Sequence, residues 1–147
     1  MSRPTWDEFF LALAVAYSRR ATCPRASVGA VLVRDNIQIA AGYNGAARGL
    51  PHCTERGCEM RDRHCVSAVH AERNALASAA REGHRVVGCA LYCTHLPCWL
   101  CFQLLINAGI VRVVYGESYR PDPLVIEAAE RLGIPLVGMS GAAGGGA

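Results

Sequence analysis

His70-Ala71-Glu72 and, further on, Pro97-Cys98-Trp99-Leu100-Cys101 are the stretches whose residue types and spacing can do chemistry. One imidazole and two thiolates can hold a zinc ion and leave its fourth position open for water, whereas four protein ligands would close a structural site. An ion held that way brings the pKa of its water toward ~7. Glu72, two residues from the histidine, is placed to move that water's protons. Either half alone says little. His-x-Glu recurs by chance, and a Cys-x-x-Cys pair also serves as a redox pair or as half of a structural zinc site. Together, in this order and with proline before the first cysteine, they point to metal-assisted hydrolysis. Glu72 is then the catalytic residue, with His70, Cys98 and Cys101 as zinc ligands.

The elements that must position these residues follow from periodicity and punctuation. Trp6 to about Arg20 is expected to be a helix, with Phe9, Phe10, Leu13, Ala16 and Tyr17 on its apolar face. Thr5 and Glu8 are spaced as a capping box. Residues 22–27 are expected to be a loop, since Pro24 interrupts any helix there. Strands are expected over 28–33 and 37–43, joined by a turn at Arg34-Asp35-Asn36. Asn44-Gly45 ends the second strand; Asn44 either supplies the turn or aims its amide into a pocket there. Residues 45–69 read as an irregular, cysteine-bearing segment. A helix from His70 to about Arg81 stops at Gly83. The strand over 86–94 carries Cys89 and Cys93 as small core residues. Pro97 opens the next helix, which ends at Gly109, and Cys98 and Cys101 share one of its faces. A strand over 110–115, a helix over 123–132 and a short strand over 134–137 complete the domain. Each catalytic stretch would lie in the first turn of a helix, where free N–H groups and the positive dipole end favour thiolate. This order implies a three-layer α/β domain with a mixed sheet.

The chain has 147 residues, 52% hydrophobic and 18% charged, which is enough for one full core. Residues 1–140 are expected to form one domain, and the Gly/Ala tail over 141–147 to be disordered. No apolar run approaches the ~18 residues of a membrane span. No secretory layout opens the chain. A cytoplasmic protein with no membrane partner is expected. Eight cysteines in such a protein are better read as metal ligands or buried groups than as disulfides. The net charge of +3 is mild and gives no basic surface for nucleic acid. All 15 basic residues are arginine, which reflects codon bias for most of them, while a guanidinium also suits bidentate phosphate contacts. Cys23 precedes the first strand, and Cys53, Cys58, His64 and Cys65 crowd the long loop. Four of these five would close a second, structural zinc site.

Taken with these motifs, the chain resembles the deoxycytidylate (dCMP) deaminases of the zinc-dependent cytidine deaminase superfamily. The likeness is to their bacterial late-competence-type branch, and it covers about residues 6 to 138. It rests on Val28-Gly29-Ala30-Val31, Gly42-Tyr43-Asn44-Gly45, Gly49-Leu50-Pro51-His52-Cys53 and His64-Cys65. It continues in His70-Ala71-Glu72-Arg73-Asn74-Ala75, Leu91-Tyr92-Cys93-Thr94, the Pro97 to Cys101 motif and Ile106-Asn107-Ala108-Gly109-Ile110. The resemblance implies a three-layer α/β/α fold with a five-stranded mixed sheet, and hydrolysis of dCMP to dUMP and ammonia. It implies that Asn44 bonds the deoxyribose and that the backbone at Ala71 and Thr94 reads the pyrimidine edge. Arg25 and Tyr119 become the candidates for the phosphate. It implies a homo-oligomer, a dimer or hexamer, and regulation by dCTP and dTTP with Mg²⁺. It supports Cys23 and Cys53 as ligands of a second zinc and leaves Cys58, His64 and Cys65 as candidates for the other two. Cys93 and Ala47 depart from the residues usual at their positions.

Two other readings compete. One is a related deaminase acting on a free nucleoside, a nucleobase or adenosine in tRNA; a tRNA enzyme would need the basic surface that is missing here. The other is a non-catalytic, zinc-stabilised binding module, which would have no use for Glu72.

Overall fold

A computed structural model describes residues 2–118 and 121–139. Tyr119 and the 141–147 tail lie outside the described residues. Helix α1 (Trp6–Ser18) starts at Thr5, and the expected capping box with Glu8 forms in full. Its buried face is Phe10, Leu11, Ala14 and Ser18, while Phe9 and Ala16 turn to solvent, so the expected face was rotated. Strand β1 (Gly29–Arg34) meets β2 (Ile37–Tyr43) through a two-residue turn. Asp35 and Asn36 both take left-handed φ there, 54° and 58°, the turn whose twist matches a hairpin.

The segment expected to be irregular holds short paired pieces. These are β3 (Gly45–Ala46), helix α2 (Cys53–Arg56), β4 (Met60–Arg61), β5 (His64–Cys65) and β6 (Ala68–Val69). Strand β3 pairs with β6, and β4 with β5. Helix α3 (Ala71–Glu82) and strand β7 (Ala90–His95) follow, then helix α4 (Trp99–Ala108) and strand β8 (Arg112–Glu117). Helix α5 (Pro123–Leu132) and strand β9 (Leu136–Gly138) come last. Gly83, Gly109 and Gly133 end α3, α4 and α5 in left-handed conformations. The three C-terminal strands each begin later than expected.

The main sheet runs β2-β1-β7-β8-β9. The first three strands are antiparallel and the last three parallel, so the five-stranded mixed sheet forms as expected. Alternation along each strand divides the core in two. Val31, Val33, Tyr92 and Val114 face α1, against Phe10, Leu11 and Ala14. Ala30, Leu32, Leu91, Cys93 and Val113 face the other way, against Ala75 and Ala79, Phe102 and Leu105, and Val125 and Ala129. The result is the expected α/β/α layering. Cys89 and Cys93 are core residues, both at 0% exposure.

Two glycines set the layer spacing. A Cβ on Gly29 would stand 1.9 Å from the Ala14 carbonyl oxygen of α1. A Cβ on Gly42 would stand 2.5 Å from both the Ala71 oxygen and the Ala75 nitrogen of α3. Only a residue without a side chain lets the start of α3 touch β2. At the far pole of the sheet, the Arg112 guanidinium donates twice to the Asp7 carboxylate, at 2.8 and 2.6 Å, and the Tyr92 hydroxyl donates to Asp7 at 2.7 Å. That network ties α1 to β7 and β8.

Candidate active site

His70 and Cys98 are the N-caps of α3 and α4, one position outside the helices, while Cys101 lies inside the first turn of α4. Pro97 thus precedes the cap. Both caps have extended backbone and neither side chain makes a capping hydrogen bond. The sulfur of Cys101 lies 3.3 Å and that of Cys98 3.7 Å from Nδ1 of His70. Ligands at ~2.3 Å (sulfur) and ~2.05 Å (nitrogen) around a tetrahedral zinc stand about 3.6 Å apart. The donor set therefore fits zinc through Nδ1. Cys101 is buried, whereas His70 and Cys98 reach the surface, so one side of the triad is open.

Charge on these groups is coupled. The Cys101 thiol, and after it the His70 ring, pull Cys98 down to about 3, so this sulfur is a thiolate at neutral pH. Its hydrogen bond in turn raises His70, against the burial of the ring. Cys101 is pushed up by the same Cys98 contact and by burial. Glu72, in the first turn of α3, is 5% exposed. Burial raises its carboxyl above the ordinary range, which suits a group that must take up and return protons. A cavity of about 250 Å³ opens beside Cys98, walled by His95, Leu96, Pro97, Glu117, Ser118 and Asp122. It lies at the C-terminal ends of parallel β7 and β8, the usual place for a ligand in such sheets.

The remaining expected residues fall around this centre in different ways. Ala71 is fully buried under the sheet. Thr94, 4% exposed, accepts the Gly29 N–H at 3.2 Å and pairs with His95 Nδ1 at 2.8 Å. Asn44, 6% exposed, accepts the Val28 N–H at 2.8 Å and donates to the Ala26 carbonyl at 2.9 Å. Its amide thus braces the loop that carries Arg25, and Arg25 itself is exposed. Three groups escaped the motif search. His95 pairs through Nδ1 with the Thr94 hydroxyl, and its Nε2 stands 3.6 Å from Glu117 Oε2. The Nε of Arg73 is, among the described residues, the buried side-chain nitrogen without a hydrogen-bond partner. Asn74 bridges two carbonyls near the site. Their signal was adjacency to the motif residues, which composition cannot weigh.

A second donor group gathers Cys23, Cys53, Cys58 and Cys65, each sulfur within 4.8 Å of the others. The Cys23–Cys58 separation is 3.7 Å and the Cys53–Cys65 separation 3.5 Å, close to the ~3.75 Å edge of a tetrathiolate zinc site. His64 is not among them and is exposed. It neighbours Cys65 on strand β5, and successive strand residues point to opposite faces, so only one of the two can turn inward. Burial pushes the Cys53 thiol up to about 12. Burial also opposes ionisation of Cys65, yet the Ala68 N–H and the Cys53 thiol outweigh it and bring Cys65 down to about 6. His52, beside Cys53, accepts at Nδ1 from the Ala46 N–H and from the hydroxyl of Thr22, beside Cys23.

The chain belongs to the cytidine and deoxycytidylate deaminase zinc-binding family, whose pattern matches residues 4–117. Over 136 residues it is 42% identical to ComE operon protein 2 of Bacillus subtilis, covering 92% of this chain and 72% of that one. It is 43% identical over 132 residues to the deoxycytidylate deaminase of Mycobacterium phage D29, covering 80% and 99%. Its fold matches the crystal structure of the dCMP deaminase of cyanophage S-TIM5 in complex with dCMP and dUMP. That match has a TM-score of 0.80 and 31% identity over 95% of this chain and 100% of that one. Of the longer yeast deoxycytidylate deaminases it spans under half, 45% and 44%. Among the described residues no helix is long and apolar enough to cross a membrane.

Proposed function

We propose that this chain is a zinc-dependent hydrolase converting dCMP and water to dUMP and ammonia. The observation that carries the reading is the triad of His70, Cys98 and Cys101 at zinc-like spacing with buried Glu72 beside it. The similarity to proteins named deoxycytidylate deaminase, one of them solved with dCMP and dUMP, selects the substrate. When bound, zinc supplies a Lewis acid that lowers the pKa of a water. Glu72 takes a proton from the attacking water and delivers it to the ring nitrogen beside the amino-bearing carbon, which makes that carbon electrophilic. The oxygen joins that carbon, and the hydroxyl proton then passes through Glu72 to the amino group, which leaves as ammonia. The backbone at Ala71 and Thr94 is assigned to the pyrimidine edge, Asn44 to the deoxyribose and Arg25 to the phosphate. Tyr119 remains a second candidate for the phosphate. A panel of dCMP, deoxycytidine, cytosine and a tRNA substrate, read by ammonia release, tests the reading. Turnover of dCMP above the rest is expected, and preference for another substrate overturns it.

A second zinc on Cys23, Cys53, Cys58 and Cys65 belongs to the same proposal, supported by their sulfur spacing. Regulation by dCTP and dTTP with Mg²⁺ is proposed with it. A cleft of about 590 Å³ at the outer face of α3 supports that, since Tyr43, Arg48, His52 and Arg81 line it with groups that suit a base and phosphates. We place the enzyme in the cytoplasm as a homo-oligomer, a dimer or hexamer. Exposed Trp6 and Phe9 on α1, with Leu100 and Leu104 on α4, offer apolar surface for assembly.

A further inference from the structure

The corner where α3 meets the sheet holds a side chain that neither the donor set nor the proton transfers use. Asn74 stands one helical turn beyond His70. Its Nδ2 donates to the Tyr43 carbonyl at 2.8 Å and to the Val69 carbonyl at 3.3 Å. An amide nitrogen carries two hydrogens, and both are committed here. Tyr43 immediately precedes Asn44, and Val69 immediately precedes His70. The backbone N–H of Asn74 also donates to the His70 carbonyl at 3.0 Å. The side chain therefore ties the carbonyl just before His70 to the end of β2, while the first backbone bond of α3 holds the carbonyl of His70 itself. Gly42 makes this grip possible by letting α3 lie in backbone contact with that strand.

We propose that Asn74 is a positioning residue for the metal centre. It locks the start of α3 to the end of β2, so that Nδ1 of His70 and the loop braced by Asn44 keep one fixed relation. The inference rests on the reading of His70, Cys98 and Cys101 as the zinc ligands. Aspartate or leucine has nearly the same shape but no donors, and would remove both of these hydrogen bonds. Support of this kind typically contributes 10- to 100-fold in metal affinity or activity, about what a ~1 Å misplacement costs.

The test uses Asn74→Asp and Asn74→Leu in the zinc-loaded protein, with Asn74→Ser keeping one hydroxyl donor. Zinc release to a chromophoric chelator is followed, and the phase missing from Cys98→Ala is assigned to this centre. In parallel, kcat and KM are measured with dCMP where far-UV dichroism matches wild type. The expected result is ~10-fold faster release and a ~10- to 100-fold lower kcat, with KM moving less than ~3-fold and the serine variant intermediate. Release and kcat within about twofold of wild type would overturn the proposal, even with a lower Tm, because Asn74 would then serve only the fold. A raised KM with kcat and release unchanged would overturn it too, making Asn74 a substrate contact. If the aspartate and leucine variants do not fold, release from the serine variant decides. If wild type yields no ammonia from dCMP, the substrate reading fails, and zinc release still judges Asn74.

Discussion

In the proposed reaction Glu72 carries protons and has no place in the donor set. Glu72→Ala should therefore abolish ammonia release while zinc content stays at the wild-type value. A general acid–base group accounts for ~10²- to 10⁴-fold, and one that serves several steps for more. Metal analysis beside the assay checks this, and Cys98→Ala or Cys101→Ala should lose the ion together with the activity. Arg25 carries a prediction of its own. A site built for a phosphate dianion leaves its guanidinium unpaired when the phosphate is missing. Wild type should prefer dCMP over deoxycytidine by ~30- to 1,000-fold in kcat/KM, or ~2–4 kcal/mol. Arg25→Ala should remove most of that preference and leave deoxycytidine turnover nearly unchanged. An intact preference in the variant would pass the phosphate to another group.

At the scale of elements, the close contact of α3 with β2 is a sequence decision made at Gly42. Gly42→Ala sets a methyl 2.5 Å from two backbone atoms of α3, and backbone cannot yield as a flexible side chain does. A loss of ~1–3 kcal/mol is expected, with kcat falling further than the Tm shift explains, since the displaced helix carries both His70 and Glu72. Thermal unfolding and kinetics on the same preparation check it. Much of this frame was legible. The motif singled out His70, Cys98 and Cys101, which the fold brings together, and the caps, turns and glycine stops placed most elements within a few residues. Strand starts were missed because β-branched residues such as Val86, Val87 and Val111 extend the apolar pattern beyond the paired ladder. The α1 face was misjudged because Phe9 is apolar yet exposed, packed edge-on against its neighbours Trp6 and Phe10. The gathering of Cys58 and Cys65, without His64, beside Cys23 and Cys53 depends on the folding of that loop, which no residue type in it announces. A further prediction follows there: Cys58→Ala should lower the zinc content from two per chain to one while the catalytic ion stays.

For the whole molecule, the Asp7–Arg112–Tyr92 network gives stability a defined acid limb. The Arg112 hydrogen bonds hold the Asp7 carboxyl below its usual range, against some desolvation. A depressed carboxyl contributes its full stability above the unfolded pKa of ~3.9 and loses it as pH falls through the lower folded value. Asp7→Asn should thus cost ~1–2 kcal/mol at neutral pH, a modest figure because solvent still reaches Arg112, or ~2–8 °C in Tm. The gap to wild type should close below about pH 4, and a constant gap across pH would show that the ion pair is not its source.

The four-sulfur cluster also has a consequence for the order in which the newborn chain can take shape. All its donors lie between residues 23 and 65, whereas the catalytic set is not complete until Cys101. At ~5–20 residues per second, Cys101 emerges from the ribosome about 2–7 s after Cys65. When that interval opens, α1, the β1–β2 hairpin and the following loop are already made, while β7 and β8, which bury the other half of the core, are not. The nascent chain can then close its loop on an ion before its sheet exists. On the proposed second site, the ion that performs no chemistry would be the first to enter, and the catalytic centre would be assembled against a half already held in place.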